Sequence, residues 1–329
     1  MPAVRQGLLA YAAGGTVRQE ITTPHAVSKI EVRVTGTLTV GVAEAALVED
    51  GVLNIIRTIR VTKASRPVLQ FGLGDALLSG GKLLSVWDRF WYQELPTVNQ
   101  PAVGVATNAF DYSVFLPFRF SENLFRGAQP RDGLDAGCIR RDGERIDVEI
   151  DFGVDTDVAT PGGGGTAVVA AELEIIYHSM PELAQVPPEY MNKWLRTTTE
   201  SVGIGTALNP ADQQRLNAAL GLEPFMMLLA VDNDCRDPDF LNRVRVLLNG
   251  TDMVYDQSWD AVVSHSRALA GLQVALPDGY GMVDFDERRD MSGALPMGAG
   301  NVASSVLETD HDATAGGNVR LGIVHAFRP

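Results

Sequence analysis

Hydrophobic and polar positions alternate along much of this chain. Between Ser28 and Val40, residues Ile30, Val32, Val34, Leu38 and Val40 fall on one side, with Glu31, Arg33, Thr35 and Thr37 on the other. That is the period of a strand buried on one face. Gly51–Thr62 continues it, with Ile56 and Ile59 set among Arg57, Thr58 and Arg60. Phe110–Phe120, Arg145–Phe152 and Thr166–His178 read as strands in the first half. Pro224–Val231, Tyr280–Asp286, Ser304–Asp310 and Asn318–Phe327 do so in the second. Arg66–Gly72 and Leu73–Leu78 predict a hairpin about a glycine turn. Arg243–Leu248 and Thr251–Tyr255 flank Asn249-Gly250, the strongest short hairpin signal.

Helical periodicity is confined to short stretches. Leu83, Val86, Trp87, Phe90 and Trp91 draw one apolar stripe, closed by Pro96. Trp259, Val262, Val263 and Leu269 repeat it, with Ser258 placed to cap. A third helix is predicted over Pro210–Leu220, because Asn209 stands at the N-cap, Pro210 in the first turn and Gly221 just past the end.

These elements recur. Each half carries a hairpin, a helix opened by a Trp-Asp pair (Trp87-Asp88, Trp259-Asp260), further strands, a glycine loop and a closing strand that leads to proline. The closing strands align without gaps: Leu173, Ile175, Ile176 and Pro181 match Leu321, Ile323, Val324 and Pro329. A repeat of this length is a whole β domain, too long for a solenoid or propeller unit. Met180–Tyr190 holds three prolines and reads as the connector. Asn123–Glu144 is a polar, glycine-bearing insertion found only in the first half.

Composition narrows the function classes. The 329 residues suffice for two domains with their own cores, and 33 glycines and 17 prolines suit many strands and turns. A net charge of −14 argues against a broad basic surface for nucleic acid. Two cysteines, Cys138 and Cys235, make no disulfide framework or zinc pattern, which predicts synthesis in a reducing compartment. Neither a signal peptide nor a run of roughly 20 apolar residues stands out.

Candidate chemistry is sparse. Asp232, Asp234, Asp237 and Asp239 form the densest carboxylate cluster. Asp232, Asp234 and Asp237 are the weak candidates for a metal, and calcium is the one cofactor the sequence admits. The EF-hand glycine and terminal glutamate are missing. Asp151, Asp155, Asp157, Asp310 and Asp312 lie at strand ends and read the same way. Gly162–Gly165 precedes a strand, so it is a loop rather than a phosphate cradle, and Gly203-x-Gly205 lacks a third glycine. None of His25, His178, His265, His311 and His325 sits in a hydrolase or metalloprotease motif. No catalytic or cofactor-binding residue is assigned. Arg57, Arg60, Lys63 and Arg66 form a basic run at strand spacing, read as a solvated sheet face.

Some four strands, a helix and three strands per half would follow from an eight-stranded jelly roll with a helix between its sixth and seventh strands. Two such rolls in tandem, over Ser28–Pro329, resemble the double jelly-roll major capsid proteins. Those build the shells of tailless icosahedral viruses of the adenovirus-like lineage, many with an internal membrane, and this chain has the size of the small bacterial-virus members. The resemblance implies an all-β fold of two tandem eight-stranded jelly rolls with a few short helices. Residues 1–20 would be an N-terminal arm, 21–181 the first roll, 182–190 the linker and 191–329 the second roll. It implies a structural virion protein rather than an enzyme, forming homotrimers of near-hexagonal outline that tile a shell. The implied partners are neighbouring capsomers, minor capsid or vertex proteins and an internal viral membrane, without direct nucleic-acid binding. The implied location is the virion capsid, after synthesis in the host cytoplasm. Asn123–Glu144 would be an outward or inter-capsomer loop. The competing readings are a two-domain β-sandwich carbohydrate-binding module and a cupin-like enzyme.

Overall fold

A computed structural model describes residues 3–24, 26–41, 46–48, 51–72, 74, 79–91, 106–117, 143–160, 165–180, 195–204, 212–216, 222–232, 241–269, 280–284, 305–311 and 317–327. The chain divides into two compact units, Met1–Trp194 and Leu195–Pro329.

The first unit contains β1 (Ala3–Ala10), β2 (Thr16–Glu20), β3 (Ala26–Val40), the short β4 (Ala46–Leu47), a 3₁₀ turn (Gly51–Ile55), β5 (Ile56–Lys63) and β6 (Arg66–Phe71). Helix α1 (Gly80–Trp91) follows, then β7 (Ala106–Pro117), β8 (Ile146–Phe152), the single turn α2 (Asp155–Val158), the short β9 (Ala159–Thr160) and β10 (Ala167–Met180). Two four-stranded antiparallel sheets result, ordered β1-β10-β3-β7 and β2-β8-β5-β6, while β4 pairs with β9. Numbering the eight principal strands in chain order, the sheets read 1-8-3-6 and 2-7-4-5. That order is the double Greek key of a jelly roll.

The second unit repeats it. β11 (Leu195–Ile204), β12 (Asp212–Leu216), β13 (Leu222–Asp232), β14 (Leu241–Leu248), β15 (Asp252–Ser258), α3 (Trp259–Leu269), β16 (Tyr280–Asp284), β17 (Ser305–His311) and β18 (Gly317–Phe327) form sheets β11-β18-β13-β16 and β12-β17-β14-β15. These are again 1-8-3-6 and 2-7-4-5. The chain is therefore two tandem eight-stranded jelly rolls. The closing strands β10 and β18 occupy the same place, each between the first and third strands of its roll.

Inward positions of both sheets make each core. In the first roll Ile30, Val32, Val34 and Leu38 of β3 are buried together with Ile59, Val61, Val148, Ile150, Leu173 and Ile175. In the second, Val244, Val246, Val283 and Leu307 are buried, and Trp259 and Val262 of α3 join them. Burial of such side chains contributes about 1.5–3 kcal/mol each and holds the sandwich together.

Five readings of the sequence are corrected. Residues 3–20 are not an arm: β1 pairs with β10 and β2 with β8, and Val17 of β2 alternates with polar Thr16 and Arg18 as a strand residue should. The first hairpin joins β5 to β6 through Ala64-Ser65, not Arg66–Gly72 to Leu73–Leu78. In consequence the helix follows the fifth principal strand of each roll, one strand earlier than expected. Trp259 opens α3, whereas Trp87 falls inside α1, which is capped by Ser79 through Lys82 N–H at 3.3 Å. Finally, Asp212–Leu216 is a strand, where a helix was expected over Pro210–Leu220. Its backbone is taken up by antiparallel pairing with Ser305–Thr309, and tertiary pairing outweighs the local capping signals. The linker 182–190 and the insertion 123–142 lie outside the described residues.

Candidate functional site

An ionic ladder on the outward face of the second sheet of each roll is the most distinctive side-chain arrangement. In the first roll Ile59 and Val61 point inward, so Arg60 between them points out, directly across from Glu149 of β8. Its guanidinium donates to Glu149 Oε1 at 2.5 Å and to Asp151 Oδ2 at 2.8 Å. On the other side of β8, Arg18 of β2 donates to Asp147 Oδ2 at 2.8 Å, and Arg145 donates to Asp147 Oδ1 at 2.7 Å. Thr16 adds a bond to Asp151 at 2.7 Å. Asp147 is only 1 % exposed. Burial opposes its ionisation, but the two guanidiniums together outweigh that and hold the carboxyl below the ordinary aspartate range.

The second roll carries the same device. Arg245 of β14 lies between inward Val244 and Val246, across from Glu308 of β17, and pairs with both Glu308 and Asp310. Arg243 pairs with Asp256 of β15, which lowers the Asp256 carboxyl. A fourth-strand arginine facing Glu-x-Asp on the seventh strand is thus built twice. Three members of the basic run are thus ion-paired, since Arg57 also pairs with Asp157 and Lys63 with Glu144.

One end of the first roll is closed by a polar network under the loops. Tyr11 donates its hydroxyl to Gly153 O and Asp155 Oδ1, both at 2.9 Å. Asn54 Nδ2 donates to Asp157 O at 2.7 Å, and Tyr112 donates to Val52 O at 2.8 Å. Burial, reinforced by Asp155, pushes the Tyr11 phenol well up. The chain segments approach closely there: a Cβ on Gly81 would sit 2.1 Å from Leu53 O, and one on Gly51 2.2 Å from Val158 O.

The outward face of the first sheet of this roll divides in two. At one end charges are paired: Arg33 grips Asp111 bidentately at 3.1 and 2.7 Å, and Arg5 meets Glu174 at 2.5 Å. Lys29 caps the Phe115 ring at 3.5 Å. Ser113 donates to Glu31 at 2.9 Å and His178 lies 3.5 Å from the same carboxylate. This trio has the acid in the middle, so His178 is not set to take the serine proton. Glu31, lowered by its hydrogen bond from His178 despite burial, is a weak base. The arrangement pins strands together and does not activate a nucleophile. At the other end the face is uncharged, with Val168 51 % exposed.

Of the residues singled out in the sequence, Asp151, Asp155, Asp157 and Asp310 are brought against arginine or tyrosine donors. Asp232 ends β13, and Asp234, Asp237 and Asp239 lie outside the described residues, as do Asp312, His25, Gly162–Gly164 and both cysteines. Among the described residues no group of three or more His, Cys, Asp or Glu side chains is set to hold a metal. Glu149 and Glu308 were missed by sequence reading. The signal that could have found them is the shared Glu-x-Asp within two strands of equal rank.

No family model matches the chain and no curated protein does. Solved structures match it over almost its whole length. A crystal structure of the STIV MCP, from Sulfolobus Turreted Icosahedral Virus, is similar with a TM-score of 0.73 at 14 % identity, covering 99 % of this chain and 96 % of that one. The PBCV-1 virus capsid gives 0.65 at 11 % identity, over 99 % and 92 %. The major capsid protein P2 from Bacteriophage PM2 gives 0.61 at 11 % identity, over 99 % and 97 %. At these identities the likeness is one of fold.

Proposed function

We propose that this chain is a structural virion protein, a major capsid protein whose homotrimers tile an icosahedral shell. The observation that carries this reading is the pair of rolls with identical strand order. A jelly roll covers its core with its own two sheets, so a second fused copy adds nothing to folding. It adds geometry, because two like units per chain and three chains give a six-sided tile. Support comes from the likeness over 99 % of the chain to P2, a major capsid protein. No reaction is assigned, since the carboxylates described above are engaged with arginine, tyrosine, serine or histidine donors. The partners in this reading are other copies, neighbouring capsomers and minor proteins of the shell, with an internal membrane beneath it. Among the described outward residues of the first roll's first sheet, the one aromatic ring, Phe115, is covered by Lys29, which gives a sugar no stacking platform.

Light scattering and negative-stain microscopy of the purified protein test the reading. The expected result is a trimer of hexagonal outline. A monomer at every accessible concentration overturns it.

A further inference from the structure

We propose that Asn249 is a site of spontaneous covalent modification, losing its side-chain amide through a cyclic imide formed with Gly250, and that opening of the β14-β15 hairpin gates the reaction.

The chemistry is intramolecular. The Gly250 main-chain nitrogen attacks Asn249 Cγ and closes a succinimide ring. The Cγ–Nδ2 bond breaks, and the nitrogen's proton departs with the amide as ammonia. Water then opens the ring at either carbonyl, giving aspartate or, with the main chain rerouted through Cβ, isoaspartate. Nothing is oxidised or reduced, and water is the sole co-reactant. Among the asparagines of the chain only Asn249 is followed by glycine, which has no side chain to crowd the attacking nitrogen.

The structure leaves the reacting groups accessible. Asn249 and Gly250 are exposed, and a Cβ added to Gly250 would meet nothing within 4 Å. Thr251 N–H donates to Leu248 O at 3.1 Å and closes the turn, so the Gly250 nitrogen is not the one that holds it. One requirement is unmet in the closed turn. Ring closure needs Asn249 Cβ and the Gly250 nitrogen on the same side of the Cα–C bond. The left-handed region that Asn249 occupies, with φ 53°, sets them on opposite sides.

The hairpin must therefore open to react, and it is weakly held. No residue of β15 is buried, and Met253 and Val254 are 52 % and 44 % exposed. A strand with so little buried surface opens locally at small cost. In the equivalent hairpin of the first roll, Val68, Leu69 and Phe71 of β6 are all buried. The same turn geometry stands there on a firmly seated strand, and Ala64-Ser65 has no amide to lose. Conversion at Asn249 adds a carboxylate to the tip that already carries exposed Asp252. Isoaspartate also lengthens the main chain of a two-residue turn, whose length fixes the register of β14 and β15.

The test ages the purified full chain in mildly alkaline buffer and maps its peptides by mass spectrometry, with isoaspartyl methyltransferase labelling to identify isoaspartate. Conversion is expected at Asn249 ahead of Asn54, Asn108 and Asn242. A folded protein in which Asn249 stays intact, while the urea-unfolded chain converts there, overturns the proposal. The gate is read in the A64N/S65G protein, which carries the dipeptide in both hairpins of one molecule. Position 64 is expected to convert about tenfold or more slowly than Asn249, the ratio produced by about 1.4 kcal/mol of extra opening free energy. Equal rates overturn strand burial as the gate. If that variant fails to fold, urea well below the unfolding midpoint of the wild type provides the readout. It should speed loss of the Asn249 amide, and a rate indifferent to it overturns the gate.

Discussion

Arg60 and Arg245 occupy the same position in their respective rolls, each on the fourth strand and each facing the glutamate of a Glu-x-Asp pair on the seventh. The pairing fixes register. A one-residue slip of β5 against β8 would turn Arg60 inward among Ile59 and Val61's neighbours and bring a hydrophobic residue out. Both guanidiniums keep partial access to water, so the energy of each pair is limited by screening.

Arg60→Ala is therefore expected to cost about 1 kcal/mol, and Arg245→Ala a similar amount. Double-mutant cycles with Glu149→Gln and Glu308→Gln, measured by urea unfolding, should show coupling within each pair. A cycle without coupling would contradict the ladder in that roll.

Close approach at the loop end of the first roll makes a second expectation. Gly81 has no room for a side chain, since an added Cβ would lie 2.1 Å from Leu53 O, a backbone atom that cannot swing away. Gly250, by contrast, has nothing within 4 Å and only its φ of +74° to disfavour alanine. Gly81→Ala should cost about 3 kcal/mol, in line with overpacked cores, and Gly250→Ala about 1 kcal/mol. Thermal melts of the two variants decide it, and a reversal of their order would show that the helix start is not tightly seated.

The one-sided strands were legible because nothing competes with alternation when one face is buried: β3 runs 15 residues, and its inward set is the set the sequence marks. Legibility failed where pairing decided the outcome. Asp212–Leu216 follows a good helix start, yet β17 captures it as an edge strand. The ladder was hidden for a related reason. Arg60 and Glu149 are 89 residues apart and Arg245 and Glu308 are 63 apart, so their contact exists only once the register of two strands is known. Aligning Arg66 with Arg243, as the glycine turn suggested, displaced the two halves and concealed the match.

Stability in acid should follow the carboxylates that the fold holds ionised. Asp147 and Glu31 both lie below their ordinary range, Asp147 through Arg18 and Arg145 against its burial, Glu31 through His178 and Ser113. A carboxyl depressed in the folded state contributes stability above its unfolded pKa of about 4 and loses it as pH falls through the folded value. Unfolding free energy should thus be level near neutrality and fall below about pH 4. Asp147→Asn should flatten that fall while lowering stability at pH 7. An unchanged acid limb in this variant would mean the pairing with Arg18 and Arg145 contributes nothing.

The two equivalent hairpins reach the same turn by different means. Asn249 and Gly250 have φ of 53° and 74°, and Ala64 and Ser65 have φ of 49° and 64°. Both loops thus place two successive residues in the left-handed region, the geometry that matches strand twist in a two-residue turn. Asn and Gly enter that region readily, whereas alanine there costs roughly 1–2 kcal/mol. The first roll bears that cost because β5 and β6 are held by buried Ile59, Val61, Leu69 and Phe71. Replacing Ala64-Ser65 by Asn-Gly should therefore stabilise the first roll by about 1 kcal/mol, less the extra freedom glycine gives the unfolded chain. Urea unfolding of the A64N/S65G protein measures it. The reciprocal N249A/G250S change should destabilise the second roll by a comparable amount, and failure of the two shifts to have opposite signs would show that turn strain does not limit either hairpin.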